Sequence, residues 1–422
     1  MTASASAQEF KANYDEAAVP SYTLPDPLVA ADGKAVDSAK RWREVRRPEL
    51  LELFSSKMYG RAPGRPTDVR YELEESSQQA FGGAATRKQI TIHLTKQPNG
   101  PRLRLLLYVP NKRTGPAPAF LGLNFSGNQV VCRDPAIRIT DRWVREGVAT
   151  DGNRATDASR GTQTDNWMVE RVIERGYALA SVYYGDIEPD HEEGWRDGVR
   201  SVFPVDGKAT ATPAAQPITK FRDDDWGAIA AWAWGLSRVL DYLETDGDID
   251  ARRVAIMGHS RLGKTALWAA ANDERFALCV SNNSGEGGAA ISRRRFGETV
   301  GRINTSFPHW FCTAYKQFNN REDDLPFDQH ELIALIAPRP VYIASASDDQ
   351  WADPKGEFLS AVNAELVYAL LGKTGLGVTA PPPVDKPVGE TIGYHLRTGE
   401  HAVLPYDWEQ YLNFADRHLP AN

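Results

Sequence analysis

The run Val254-Ala255-Ile256-Met257-Gly258-His259-Ser260-Arg261-Leu262-Gly263-Lys264 takes an apolar, β-type stretch into Gly-His-Ser and then directly into a helical pattern. A serine at such a strand-to-helix turn has its hydroxyl lifted clear of the backbone. The positive end of the following helix, with its free N–H groups, then faces any oxyanion formed by attack. The G-x-S-x-G form of this turn would need glycine at 262. Leu262 stands there and the glycine is Gly263, so the motif alone is a weak indicator. A serine hydroxyl also needs a base, and the base an orienting acid. Ser347-Asp348-Asp349-Gln350-Trp351 follows the apolar run Val341–Ala346, and Gly399-Glu400-His401 lies near the C-terminus. Ser260, Asp349 and His401 therefore occur in the order serine, acid, histidine. With 56 acidic residues and eight histidines in the chain, that order by itself is modest evidence.

The elements that must position these groups are legible as alternating strand and helix patterns. Residues 1–36, rich in Ala, Ser, Pro and Asp, show no apolar periodicity and read as an extended surface segment before a single domain over 37–422. Trp42, Val45, Leu50, Leu51 and Phe54 predict a helix over 41–59, stopped by Gly60 and Pro63. Alternating stretches at 69–74, 86–95 and 103–109 predict antiparallel strands. Short apolar runs at 119–125, 178–184, 254–257, 278–281 and Val341–Ala346 predict buried strands joined by crossovers. Helices are expected near 167–175, over 225–244 and over 406–418, and a long loop over 372–393, where Pro381 to Pro383 are consecutive. The tryptophan-rich stripe of 225–244 reads as core packing. Strand, crossover, strand is the repeated unit, which predicts a three-layer αβα sandwich of the α/β-hydrolase class with a mostly parallel sheet. Catalytic groups then belong at the carboxyl ends of the strands.

The chain of 422 residues has a formal net charge of −7, which gives no electrostatic footprint for nucleic acid, and no apolar run approaches membrane-spanning length. Cys132, Cys279 and Cys312 are odd in number and lack metal-ligand spacing, and Cys279 lies in an apolar run, so neither a disulfide framework nor a zinc site is expected. Ala5-Ser6-Ala7-Gln8 resembles the small-residue end of an export signal and gives the expectation of a secreted or periplasmic protein. The chain is expected to act as a monomer.

Several further segments carry a family resemblance. Gly258 to Lys264, Ser281-Asn282-Asn283-Ser284-Gly285-Glu286-Gly287-Gly288, Phe307-Pro308-His309-Trp310-Phe311, Asp328-Gln329-His330 and Trp351-Ala352-Asp353-Pro354 resemble the signature segments of bacterial glucuronoyl esterases, carbohydrate esterase family 15, in order and spacing. The likeness runs from the helix near Arg41 to the last helix. It implies hydrolysis of the ester between 4-O-methyl-glucuronic acid of glucuronoxylan and lignin alcohols, with no metal or organic cofactor. On that resemblance Ser260 is the nucleophile, His401 the base and Arg261 the oxyanion stabiliser, while Lys264, Glu298 and Trp351 hold the sugar.

The residues themselves leave some roles open. Lys264 falls one turn after Ser260 on the same helix face, and a solvated helix lysine is the bland alternative. Glu298 is either a sugar contact or an ion-pair partner of Arg293, Arg294 or Arg295. Trp351 has an indole face suited to a pyranose. Asn283 stands where fungal members carry the triad glutamate and cannot be an ionised acid, so the acid is Asp349 or its rival Glu286. Asp348 reads as a surface neighbour and Asp353 as a helix cap. Phe125-Ser126-Gly127-Asn128-Gln129 is either part of the site or a plain turn. The other functional readings are an acetyl-xylan type of carbohydrate esterase and a non-catalytic carbohydrate-binding hydrolase homologue.

Overall fold

Alternation along the central strands builds the protein: Val254 and Ile256 point into one hydrophobic core, Ala255 and Met257 into the other. A computed structural model describes residues 10–147 and 149–421, so the small-residue pattern at 5–8 lies outside the described residues. Ten strands form one sheet: β1 (Arg70–Ala80), β2 (Ala85–His93), β3 (Arg102–Pro110), β4 (Ala117–Asn124), β5 (Ala178–Tyr183), β6 (Ile249–His259), β7 (Leu278–Asn282), β8 (Val341–Ala346), β9 (Val388–Gly389) and β10 (Ile392–Arg397). Their spatial order is β9-β10-β8-β7-β6-β4-β5-β3-β2-β1. From β10 to β5 every neighbour pair is parallel, and β1 to β3 form the antiparallel edge.

Helices cover both faces, giving the three-layer α/β-hydrolase sandwich. The larger core packs α1 (residues 39–59), α2 (Ala228–Leu243), α3 (Arg261–Asn272) and α4 (Pro354–Leu370) on one face. The second core packs α5 (Pro405–His418) and the short helix Val169–Glu174 on the other. The path of α1 contains two π-helical stretches, Trp42–Arg46 and Ser55–Tyr59, which sequence periodicity does not distinguish from α-helix. It ends at Gly60, where φ is 89° and a Cβ would lie 2.4 Å from the Asp225 carbonyl oxygen, so only glycine fits.

Two expectations need correction. Residues 10–36 are not without regular structure: a 3-10 turn spans Glu16–Ala18, and Glu16 pairs with Arg294 and Lys355. The expected loop over 372–393 ends instead in β9 and the start of β10, and β10 pairs in parallel with β8. Gly393, His395 and Arg397 mask this strand, because two of its inward positions are polar. Those side chains are satisfied by one carboxylate: Asp407 accepts from His395 Nε2 at 2.8 Å and from Arg397 Nε at 2.9 Å.

Candidate active site

Ser260 sits between β6 and α3 with φ 57° and ψ −129°, a strained conformation enforced by its surroundings. Its own N–H donates to the Asn282 carbonyl at 2.9 Å, tying the turn to β7. A Cβ at Gly258 would fall 1.8 Å from the Leu262 carbonyl oxygen, so the glycine before the serine is required by the tight turn. Gly263 packs against Ser284 and Ser281, while Leu262 is buried in the larger core. The glycine is thus displaced by one position because residue 262 here faces the core and residue 263 faces β7.

The histidine arrives on a loop held from below. Arg397 Nη2 donates to the carbonyls of Glu400 and Ala402, both at 2.7 Å, bracketing His401. His401 Nδ1 lies 2.6 Å from Asp349 Oδ2, and the same oxygen accepts Asn283 Nδ2 at 2.7 Å. Burial alone would raise the Asp349 carboxyl, but the hydrogen bonds and charge from His401, with the Asn283 amide, hold it below its ordinary value. Asp349 is therefore an ionised acceptor beside the imidazole. Asn283 is not the group hydrogen-bonded to the imidazole; it orients the carboxylate that is.

Glu286 is removed from the histidine. It is buried, accepts from Ser292 Oγ at 2.9 Å and Tyr315 OH at 3.0 Å, and burial pushes its carboxyl well above the usual range. Asp348 is exposed, as expected, and Asp353 caps α4 by accepting from the Gly356 N–H at 2.9 Å.

Arg261 follows the serine at the start of α3, where the first N–H groups lack intrahelical partners. Its Nη1 donates to Asp190 Oδ2 at 2.6 Å, and the guanidinium carbon lies 4.9 Å from the Trp310 ring centroid and 5.5 Å from that of Phe125. Asp190 in turn accepts His309 Nε2 at 2.8 Å and Trp310 Nε1 at 2.7 Å. Burial would raise this carboxyl, yet His309, Arg261 and Trp310 hold it far below its ordinary value. Asp190 fixes the arginine while four of the five guanidinium N–H donors remain outside that bond. Asp190 was not legible as a site residue, since nothing around Pro189-Asp190-His191 marks it. The Phe307 to Phe311 signature holds its partners.

Lys264 is buried, with Nζ donating to the Ser284 carbonyl. Burial lowers its ammonium, and Glu298, Glu286 and Glu357 act to keep it charged. Glu298 is buried as well. Its carboxyl is raised by burial and opposed by Lys264, Arg302, Arg261 and His401, which surround it. The three arginines that could have paired with it are engaged elsewhere: Arg293 with Asp328, Arg294 with Asp353 and Glu16, Arg295 with Glu322 and Asp323. The Glu298 N–H donates to the Trp351 carbonyl at 3.1 Å, so the two residues are coupled through the backbone. The Trp351 indole is 37% exposed, with the Phe10 ring edge-on at 6.1 Å.

Ser260, Arg261, His401, His259 and Phe125 line one cavity of about 380 Å3. Ser260 and the fixed Arg261 after β6, Asp349 after β8 and His401 after β10 are therefore assembled at the carboxyl ends of the strands, an arrangement able to carry out acyl transfer. Among the described residues no cluster of His, Cys, Asp and Glu has the form of a metal site, and no helix is long and apolar enough to cross a membrane.

Comparisons agree with this chemistry. The family model described as glucuronyl esterase, fungi, matches residues 220–372. A carbohydrate esterase from an unknown prokaryotic organism is 50% identical over 410 residues, covering 96% of this chain and 92% of that protein. A 4-O-methyl-glucuronoyl methylesterase of Phanerochaete carnosa is 34% identical over 359 residues, covering 83% of this chain and 72% of the relative. Among solved structures, a glucuronoyl esterase from Solibacter usitatus superposes with a TM-score of 0.89 at 48% identity, over 96% of this chain and all of that one.

Proposed function

The chain belongs to the glucuronoyl esterases, carbohydrate esterase family 15, and from that premise we propose that Ser260, His401 and Asp349 are its catalytic triad. It is a carboxylic ester hydrolase acting on 4-O-methyl-glucuronoyl esters. His401 Nε2 takes the Ser260 proton as Oγ attacks the ester carbon, and Asp349 stabilises the imidazolium that forms. The Arg261 N–H and guanidinium receive the charge on the carbonyl oxygen. Collapse of the tetrahedral intermediate breaks the ester C–O bond, and His401 returns its proton to the departing alcohol. Water, deprotonated by the same imidazole, then attacks the acyl-enzyme, releasing glucuronate and restoring the Ser260 hydroxyl.

The observation that carries this assignment is the 2.6 Å contact between His401 and Asp349, on a histidine that shares a cavity with the elbow serine. Lys264, Glu298 and Trp351 hold the uronate in this proposal: a buried cation, a buried carboxyl that Arg293, Arg294 and Arg295 leave free by pairing elsewhere, and an exposed indole are suited to sugar hydroxyls and a pyranose face. An acetyl esterase would have no use for that set. The alcohols are those of lignin, the acting form is a monomer, and the site of action is outside the cytoplasm, where a xylan polymer is met. The test is kcat/KM on benzyl glucuronate, methyl glucuronate and an acetylated xylan oligomer. A preference for the glucuronate esters is expected, and a preference for the acetyl ester would overturn the substrate assignment.

A further inference from the structure

A second cavity, of about 570 Å3, opens between α2, the last turns of α3 and the segment 60–65, and none of the groups assigned above to catalysis or sugar holding lines it. Ser260 stands at the N-terminal end of α3, whereas Trp268, Asn272 and Asp273 reach this cavity from the other end. The 12 residues of that helix span about 18 Å. Trp234, from α2, braces the wall: its Nε1 donates to the Gly64 carbonyl at 3.2 Å, and the Arg238 guanidinium carbon lies 5.2 Å from its ring centroid.

Arg238 is the unusual group here. Its side chain is only 8% exposed, its Nε lies 2.8 Å from Asp241 Oδ2, and neither Nη1 nor Nη2 makes a hydrogen bond to another described residue. Burial acts against its charge, with Asp241 in opposition. A buried guanidinium whose paired N–H donors go unused is costly. Nor does Asp241 belong to Arg238 alone: Arg65 Nε lies 3.2 Å from it, and Arg275 donates to it at 2.8 Å. Arg275 already holds Asp273 by two bonds, at 2.9 and 2.7 Å, so Arg65 and Arg238 have one carboxylate between them. The other charged groups of the lining are paired: Arg61 with Glu52 and Asp224, Arg222 with Asp225, and Asp206 with Lys208. One positive charge is left over at the cavity.

We propose that this cavity is a second substrate-binding site, which takes the free carboxylate of an unesterified glucuronic acid on the xylan chain through Arg238 and Arg65. The inference rests on the glucuronoyl esterase reading and adds to it a hold on the polymer away from the ester. The chemistry separates the two sites: the ester at Ser260 carries no charge on its carboxyl, whereas unesterified uronates of the same polymer are anions. Two Nη groups of one guanidinium match the two oxygens of a carboxylate, and the anion supplies the missing counter-charge. The exposed Arg65 stands where a ligand enters, while Ser55, Ser237 and Asn272 in the lining offer hydroxyl and amide groups to the sugar. The volume is within the range of about 300–1,000 Å3 typical of small-ligand sites.

The test is calorimetric binding to enzyme whose Ser260 has been blocked with a fluorophosphonate. The ligands are a xylo-oligosaccharide bearing one free 4-O-methyl-glucuronic acid, the same oligomer as its methyl ester, and inorganic phosphate. The free acid is expected to bind, with the methyl ester about tenfold weaker or more. Arg238→Met and the exposed Arg65→Gln are each expected to weaken the acid about tenfold, while the unblocked variants turn over benzyl glucuronate within about threefold of wild type. Equal binding of acid and methyl ester, or wild-type affinity for the acid in both folded variants, would overturn the site. Phosphate binding without oligomer binding would overturn the uronate as its ligand. Loss of binding is distinct from failure of the esterase reading: a wild type that binds the acid through Arg238 but turns over no glucuronate ester would keep this site and overturn that reading.

Discussion

Replacing Asp349 with Asn removes one charge and keeps the side chain's shape, so its effect can be worked from the geometry. The carboxylate oxygen accepts His401 Nδ1 at 2.6 Å and is buried, whereas the histidine side chain is 41% exposed. Charge centres about 4 Å apart interact by about 1 kcal/mol in water and about 4 kcal/mol at the effective dielectric of a protein surface. With one partner buried and the other half in solvent, the imidazolium of the transition state loses about 2–4 kcal/mol, a fall of about 30- to 1000-fold in kcat. An amide at 349 also has to choose which of its ends faces Nδ1, and the wrong choice favours the wrong tautomer. The assay is kcat and KM on benzyl glucuronate for wild type, Asp349→Asn and Glu286→Gln, with thermal unfolding as a control. Glu286→Gln is expected to stay within about threefold of wild type, because Glu286 is hydrogen-bonded to Ser292 and Tyr315 rather than to His401 and glutamine retains the acceptor oxygen they use. A folded Asp349→Asn within threefold of wild type, with collapse of Glu286→Gln, would rule out Asp349 as the orienting acid.

Three further outcomes follow from the same structure. Arg261→Gln keeps the backbone donor but loses the guanidinium placed by Asp190, and kcat is expected to fall about 100-fold with KM little moved, the size of one oxyanion donor; steady-state kinetics checks this. Lys264→Met is expected to raise KM for glucuronate esters at least tenfold and to spare the rate of fluorophosphonate labelling, the outcome that the proposed sugar-holding role of Nζ requires. On pH, burial lowers His259 to about 3, with the nearby His401 acting in the same direction. The unfolded chain, with an ordinary histidine near 6.5, therefore binds the proton first. This group's contribution to stability is thus full above about pH 6.5 and is lost progressively as pH falls towards 3, so Tm should drop less between pH 7 and 4.5 in His259→Asn than in wild type.

Most of the parallel sheet was legible because its strands are short apolar runs with turn-forming residues at their ends, as at Val341–Ala346, which Pro340 precedes and Ser347-Asp348 follow. The strand Ile392–Arg397 was not, because His395 and Arg397 are buried by pairing with Asp407, a tertiary arrangement with no local signature. The same holds within the site. Ser260 and His401 stand out by motif and order, whereas the choice between Asp349 and Glu286 depends on how β7 lies against β8. Asn282 pairs with Ala344, and the Asn283 N–H reaches the Ala344 carbonyl at 2.7 Å, which brings the end of β8 and its aspartate to the histidine. Glu286 follows three residues of turn that carry it into the interior instead. Asp190 was invisible for a related reason: its partners come from residues 261, 309 and 310, and only folding assembles them.

The nucleophile is tested most directly by the reaction of wild type and Ser260→Ala with benzyl glucuronate, followed by benzyl alcohol release and by intact mass after rapid acid quench. Wild type is expected to release alcohol and to carry a glucuronoyl adduct on the peptide containing Ser260, and Ser260→Ala to lose at least 10,000-fold in kcat/KM with no adduct. Turnover by Ser260→Ala within tenfold of wild type, or an adduct on any other residue, would contradict the claim that Ser260 is the nucleophile.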